Sequence, residues 1–320
     1  MNNFIRTVTG DIPADKLGYC HSHEHICVAE KSACGEVNPA LVIPDYDKSL
    51  EEVKAFAYAG GGAIVDAQPT GGGRMPKRLQ KISKESGVNI IASTGFHLRK
   101  FYPANSRLYA LSSFEATEVF AAELFTGMFE GLDPYFDQEL TNVKAGVIKC
   151  ALDSADMWDT YRELFTAAAG AQVKSGAPML IHTSKNSDVT GLMDFLEARG
   201  VNMNKVIICH LDRTNYDLEL HKEVLRRGAY VEYDTVGRYK YNDDETECRI
   251  IKTMLDAGYE DKILLGLDTT RERLISYGGT PGLTFIKEKF EDIAESYGIA
   301  KEKFSKFMIE NPAKAFCFNK

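Results

Sequence analysis

"LGYCHSHEHICV", residues 17–28, sets His21, His23 and His25 at alternate positions of a short segment with apolar flanks. A β-strand turns successive side chains to opposite faces, so this spacing predicts one strand carrying all three imidazoles on a single face. Imidazoles crowded together repel one another if charged and waste hydrogen-bonding capacity if buried neutral. A polar surface strand could carry such a cluster. What decides the reading is what other strands bring to the same place.

Seven further runs of the same kind follow: "GAIVDAQ" (62–68), "NIIASTGF" (89–96), "AGVIKCAL" (145–152), "APMLIHTS" (177–184), "VIICHLD" (206–212), "AYVEYDTVG" (229–237) and "ILLGLDTT" (263–270). Each is too short for a typical helix and rich in Val, Ile and Leu, as a parallel strand covered on both faces should be. Between them lie segments of helical spacing at 49–60, 158–176, 188–200, 217–228, 245–258 and 280–298, most of them closing on a glycine. Ser49, with Glu52 three residues on, is the expected N-cap of the first. Eight strands alternating with about eight helices, without a linker or low-complexity break, predict an α/β chain folded as one (β/α)8 TIM barrel over residues 1–320. A doubly wound open sheet is the alternative, but its usual glycine-rich nucleotide fingerprint does not follow the first strand. The longest insertion, 97–143, contains helical "SFEATEVFAAELFTGMFEG" and is expected to cap the barrel mouth.

The composition, 44% apolar and 26% charged, is that of a soluble globular protein. A net charge of -8 argues against a nucleic-acid partner. No run approaches membrane-spanning length and the first twenty residues hold no signal-like apolar core, so no membrane association and a cytoplasmic location are expected. Seven cysteines without a Cys-x-x-Cys pair fit a reducing compartment. Cys150 and Cys209 sit in apolar runs and are expected to pack as small hydrophobes. Cys27 and Cys34 follow the histidines closely enough to be candidate thiolate ligands. A homodimer is common among such barrels, although no stretch marks an interface.

In a barrel of this kind the chemistry gathers at the C-terminal strand ends. Those ends carry His23 and His25 on strand one, Lys149 on strand four, His182 on five, His210 on six and Asp268 on eight. Each histidine alone is unremarkable, but the charge of Lys149 inside an apolar strand is costly unless paired, shifted or chemically altered, and Asp268 after "ILLGL" poses a similar difficulty. Together, at one end of one barrel, they predict a reactive cluster.

These segments resemble the phosphotriesterase-like group of the amidohydrolase superfamily. "GYCHSHEHICV" is similar to that family's first-strand His-x-His. "AGVIKCALD", "PMLIHTS", "VIICHLD" and "ILLGLDTTRERLISYGG" are similar to its fourth, fifth, sixth and eighth strand ends, in order, over nearly the whole chain. The resemblance implies that His23, His25 and Asp268 hold one divalent metal ion and that His182 and His210 hold a second. Lys149 would bridge the two as a carboxylated (carbamate) lysine, turning an awkward buried ammonium into an anionic ligand. His21 is not in this set and is expected to pack or to support a ligand. Zinc is the expected metal. A hydroxide shared by the two ions would attack a carbonyl or phosphoryl group, with Asp268 as the catalytic proton acceptor. No Gly-x-Ser-x-Gly elbow offers a side-chain nucleophile instead.

The resemblance also bears on substrate. Organophosphate-cleaving members use an Asp and a His behind the metals as a proton relay, whereas Arg213 and Thr235 stand at those positions here. His97 falls where a bulky aromatic would stand, and lactone-hydrolysing members do without the relay. "TVGRYKY" brings Arg238 and Lys240 after strand seven, and "TTRERLISYGGTPG" brings Arg271 and Arg273 after strand eight, where such barrels often bind phosphate. Lys240 and Arg271 match positions at which phosphorylated-sugar-lactone hydrolases of the family hold the phosphate, with Leu274 in place of a tyrosine. The expected activity is a lactonase acting on a small anionic lactone, preferably a phosphorylated sugar lactone, with His97, Lys240 and Arg271 binding the substrate. The alternatives are another ester or amide at the same metals (an aryl or organophosphate ester, an N-acyl amide), or a barrel that binds metal without turnover. "PTGGGRMP" (69–76) lacks the Walker ending and is expected to be a flexible loop, although Gly73-Arg74 matches a family Gly-Arg pair. His221, among Glu219, Lys222 and Glu223, is expected to be exposed and idle.

Overall fold

The computed structural model describes residues 3–131 and 140–318. Eight parallel strands follow one another in chain order: β3 (Cys20–Glu24), β4 (Ala63–Asp66), β5 (Asn89–Gly95), β6 (Val147–Leu152), β7 (Met179–Thr183), β8 (Val206–Cys209), β9 (Tyr230–Tyr233) and β10 (Ile263–Leu265). Each lies within a run predicted from sequence. Before them comes an antiparallel hairpin, β1 (Phe4–Thr7) with β2 (Gly10–Pro13), which sequence did not announce. Its Ile5 packs with Phe316 in the barrel interior.

The barrel is nearly closed. β10 and β3 share no continuous ladder. Ser22 Oγ donates to Leu265 O at 2.7 Å and Asp268 N donates to His23 O at 3.0 Å, so the seam is held at the end that carries the polar residues. Strand side chains divide between two cores. Cys20, Ala63, Val65, Val147, Leu180, Ile207, Cys209 and Leu264 fill the interior. Their neighbours, among them Ile64, Ile148, Cys150, Ile181 and Ile208, pack outward against the helices. Cys150 and Cys209 thus pack as predicted, and all seven cysteines are buried outside any disulfide.

The helices are α1 (Ala33–Val37), α2 (Tyr46–Tyr58), α3 (Pro76–Ser86), α4 (Ser113–Phe125), α5 (Trp158–Ser175), α6 (Val189–Glu197), α7 (Leu211–Thr214), α8 (Leu218–Arg226), α9 (Asp244–Asp256), α10 (Glu291–Ser296), α11 (Glu302–Ser305) and α12 (Asn311–Ala315). Among the described residues, no helix is long and apolar enough to cross a membrane.

Five expectations need correction. First, β3 does not present three histidines on one face. A bulge between His21 and Glu24 sets Ser22 and His23 against a single residue of β4, which shifts the alternation by one. His21 therefore points outward, with its ring 4.7 Å from that of Phe56 on α2, while His23 points in. Second, α2 starts three residues before Ser49, capped by Asp45, whose carboxylate accepts from Lys48 N at 3.1 Å. Ser49 and Glu52 are buried inside the helix, where Glu52 accepts from Ser276 N and Leu283 N. Third, α4 packs beside α5 on the outer wall instead of capping the mouth, because Phe120, Leu124 and Val119 need the apolar flank of α5. Among the described residues, the start of that insertion alone reaches the mouth; 132–139 lie outside them. Fourth, the 69–76 loop is pinned. Arg74 is buried, forks onto Glu123 of α4, and also donates to Thr70 Oγ1, Ser93 O and Phe129 O. Fifth, His221 is fully buried, bonded through Nδ1 to Tyr233 OH and through Nε2 to Asn215 O.

Candidate active site

The inward side chains at the C-terminal strand ends meet at the floor of a cavity of about 500 Å³. His23, His25, His182, His210 and Asp268 line it, and Lys149 lies fully buried beneath them. Rings of His23 and His210 are 4.9 Å apart, and those of His182 and His210 4.5 Å apart. Asp268 Oδ1 stands 3.5 Å from His25 Nε2 and 3.8 Å from His23 Nε2. The donor atoms of His23, His25 and Asp268 all fall within 4.8 Å of one another. All six side chains singled out from sequence converge.

The backbone is strained where the last two of these residues leave their strands. His210 and Asp268 adopt left-handed φ values of 68° and 47°, which side chains other than glycine seldom do. His210 heads the one-turn helix α7, whose Arg213 and Thr214 amides bond back to its carbonyl. Asp268 sits between two amides, Leu267 N and Thr269 N, that both donate to the buried Glu24 carboxylate at 2.8 and 3.1 Å.

Carboxylates behind the ring orient it. His23 Nδ1 donates to Glu232 Oε2 at 2.7 Å, which leaves its Nε2 lone pair toward Lys149 Nζ, 3.1 Å away. Burial opposes ionisation of Glu232, but His23 outweighs it and lowers the carboxyl below its ordinary value. His210 Nδ1 lies 2.7 Å from Asp234 Oδ1. Burial first, then the cations Lys149 and Arg213, hold His182 well below the usual imidazole range, and burial with Arg213 does the same to His210. Burial and Lys149 likewise lower His23. These rings are neutral at pH 7, the state in which imidazole binds metal.

Whether this donor set suits divalent ions can be judged from two groups. Lys149 is fully buried, and among the described residues no carboxylate pairs with it; its one hydrogen-bond partner is His23 Nε2. Among the described residues, His25 Nδ1 is buried without a partner. Four imidazoles and a carboxylate are nitrogen and oxygen donors of the kind zinc takes. The residues fit.

Arg213 and Arg238 both donate to Asp268 Oδ2, at 2.8 and 2.7 Å. Burial opposes charge on Asp268, but the two guanidinia overcome it and hold the carboxyl well below its usual range. With Lys240 they surround the ring of Tyr241, at 5.2, 5.5 and 4.9 Å from its centre. Arg273 is buried and donates to Val236 O and Gly237 O, which fixes the loop that carries Arg238. Lys240 and His97 line the cavity, but Arg271 does not. It faces a neighbouring surface hollow with Glu30 and Glu36, so the structure does not bring it together with Lys240. Cys34 reaches the cavity wall but donates to Gly72 O, and burial pushes its thiol up to about 11; Cys27 is buried away from the cluster's wall.

Sequence reading missed Glu232, Asp234 and Glu24. A signal existed: Glu232 and Asp234 are charges inside the run "AYVEYDTVG", the same anomaly that marked Lys149. That Arg213 and Arg238 reach Asp268 carried no such signal, since loop geometry decides it.

Histidines and an aspartate gathered at the C-terminal strand ends of a (β/α)8 barrel form a donor set able to hold divalent metal ions. The profile of the Phosphotriesterase family matches residues 3–316, and the chain belongs to that family of hydrolases. It is 28% identical to an N-acetyltaurine hydrolase of Xenopus tropicalis, covering 98% of each chain. It is 30% identical to a phospho-furanose lactonase of Mycoplasmopsis synoviae, covering 99% of this chain and 93% of the other. An amidohydrolase structure from Mycoplasma synoviae superposes with a TM-score of 0.93 at 29% identity, over 100% of this chain and 93% of that one.

Proposed function

We propose that the chain is a lactonase that opens a small anionic lactone, with a phosphorylated sugar lactone as the preferred substrate. The observation that carries this reading is the cavity itself: a floor of His23, His25, His182, His210 and Asp268 faces a wall that bears Arg238 and Lys240. His23, His25 and Asp268 would hold one divalent ion and His182 and His210 a second, with Lys149 bridging them as a carbamate and zinc as the metal. Bound there, such ions supply Lewis-acid polarisation of the scissile group and water activated near neutral pH. Asp268 takes the proton that water gives up. Its Oδ1 faces the histidines, while Arg213 and Arg238 occupy Oδ2 and fix the carboxylate's rotation. Lys240 sits on the Tyr241 ring, where a phosphate oxygen can meet its ammonium. Arg271, at the adjoining hollow, would reach the anion only from the rim. His97 borders the substrate beside His182.

An N-acyl amide carrying an anionic group is the second reading, favoured by the N-acetyltaurine hydrolase relatives. A sulfonate would suit the same cationic wall. The test is a panel of phosphorylated lactones, neutral lactones and N-acyl amides on zinc-reconstituted protein supplied with bicarbonate. Turnover of phosphorylated lactones well above the rest, abolished by chelation, is expected. Equal rates on neutral and phosphorylated lactones would remove the anion argument, and turnover of amides alone would install the second reading.

A further inference from the structure

His97 follows β5, and its polar atoms are tied down one by one. Its N–H donates to Tyr102 OH at 3.1 Å, and its carbonyl accepts from Tyr109 OH. Tyr102 OH in turn donates to Thr70 O at 2.9 Å, on the loop that Arg74 pins to α4. On the ring, Nδ1 accepts from Leu98 N at 2.7 Å. An imidazole nitrogen that accepts a hydrogen bond has its lone pair there and no proton, so the ring is neutral and its single proton is on Nε2. Phe101 packs against the ring at 4.7 Å and His182 at 4.9 Å, and the residue lines the cavity. Among the described residues nothing hydrogen-bonds to Nε2, although every other polar atom of the residue is satisfied.

We infer that His97 is a specificity-determining residue: a fixed Nε2–H donor, held as one tautomer by its own backbone, that bonds an oxygen acceptor of the substrate next to His182. An ester presents lone pairs at both of its oxygens. A secondary amide presents an N–H at the leaving-group position, and facing it with a second N–H leaves two donors unpaired. The donor therefore favours lactone over amide at this point of the cavity. This rests on the lactonase reading for the identity of the substrate, but the tautomer does not.

Two measurements test it. Nitrogen-15 NMR of histidine-labelled, zinc-loaded protein, with His97→Phe used for assignment, reports which ring nitrogen is protonated. Protonation at Nε2 alone is expected, and a proton on Nδ1 overturns the inference whether or not any substrate is found. In kinetics, His97→Phe keeps the ring and removes the donor, so kcat/KM for a lactone should fall about 10- to 100-fold, the usual range for one hydrogen bond left unmade. His97→Asn, which restores an N–H donor, should recover part of that loss. The loss on an N-acyl amide should be smaller. Equal losses on both substrates, or none on the lactone, would refute the specificity role.

Discussion

Glu232 lies behind His23 and touches neither the cavity nor a substrate, which makes it a clean probe of how the site is held. Its bond to His23 Nδ1 is 2.7 Å, fully buried and charge-assisted, and bonds of this kind are about twice as strong as neutral ones. In Glu232→Gln the amide oxygen can still accept from Nδ1, but the charge that raises the basicity of the ring is gone. Halving such a bond costs on the order of 1–1.5 kcal/mol, or about tenfold in zinc affinity. In Glu232→Leu the acceptor disappears and the ring is free to turn or change tautomer, so the loss should approach 100-fold, the upper end for an outer partner of a metal-bound histidine. The assay is competition for zinc against a chelator of known affinity, with metal content measured directly and urea unfolding of the metal-free proteins run alongside. The result that refutes the reasoning is a folded Glu232→Leu protein that holds zinc as tightly as the parent, since orientation of His23 by Glu232 would then be irrelevant to the site.

Lys240→Ala should raise KM for a phosphorylated lactone about tenfold or more with little change for a neutral one, as for loss of a charge-assisted hydrogen bond; equal shifts would place the anion elsewhere. Arg74→Met leaves Glu123 buried without its guanidinium, with only Thr70, Thr94 and the Phe129 amide to accept from. Breaking such a pair costs about 3–5 kcal/mol in urea unfolding, and a cost under about 1 kcal/mol would contradict the pinned-loop account. Glu247 is buried against Asp212, and burial followed by Asp212 pushes its carboxyl well above its ordinary value. The folded state then holds a proton that the unfolded state releases near pH 4.3, so stability is full below that pH and declines as pH rises toward the folded value, by at most about 1.4 kcal/mol per unit. Glu247→Gln mimics the protonated form and should flatten that decline; parallel stability–pH curves for the two proteins would disprove it. His21→Leu should destabilise the metal-free protein by about 1–3 kcal/mol by removing the hydrogen bond from His21 Nδ1 to the buried Glu24 carboxylate, which unfolding measurements would detect.

The fold was legible because strand and helix periods are local, and the six converging residues were legible because each sits at a strand end whose position follows from those periods. Lys149 stood out further as a charge inside an apolar run, and Asp268 as one at the end of another. What sequence misassigned depended on distant partners. Ser49 and Glu52 have the spacing of a capping box, but Glu52 is spent on two amides more than 220 positions away, and Asp45 takes the cap. His221 reads as a helix-surface residue from its charged neighbours, yet it turns to Tyr233, a contact set by how α8 lies on β9. Arg271 sits two positions from Arg273, but one faces an outer hollow while the other is buried in the wall of the site.

The third histidine of the opening segment shows why a one-residue irregularity matters here. Had β3 continued without its bulge, His21 would share the interior with His23, and three imidazoles would compete for one floor. The inserted residue sends His21 outward, where its Nδ1 meets Glu24 Oε1 at 2.8 Å. Glu24 then spends both oxygens on the amides of Leu267 and Thr269. Those amides flank Asp268, whose left-handed backbone would otherwise relax toward an ordinary turn. Thr269 adds a second tie, exchanging hydrogen bonds between its hydroxyl and the backbone of His25. The strain at Asp268 is thus held from β3, across the seam where β10 and β3 share no ladder. His21 does not line the cavity, yet it supports the Asp268 carboxylate that does.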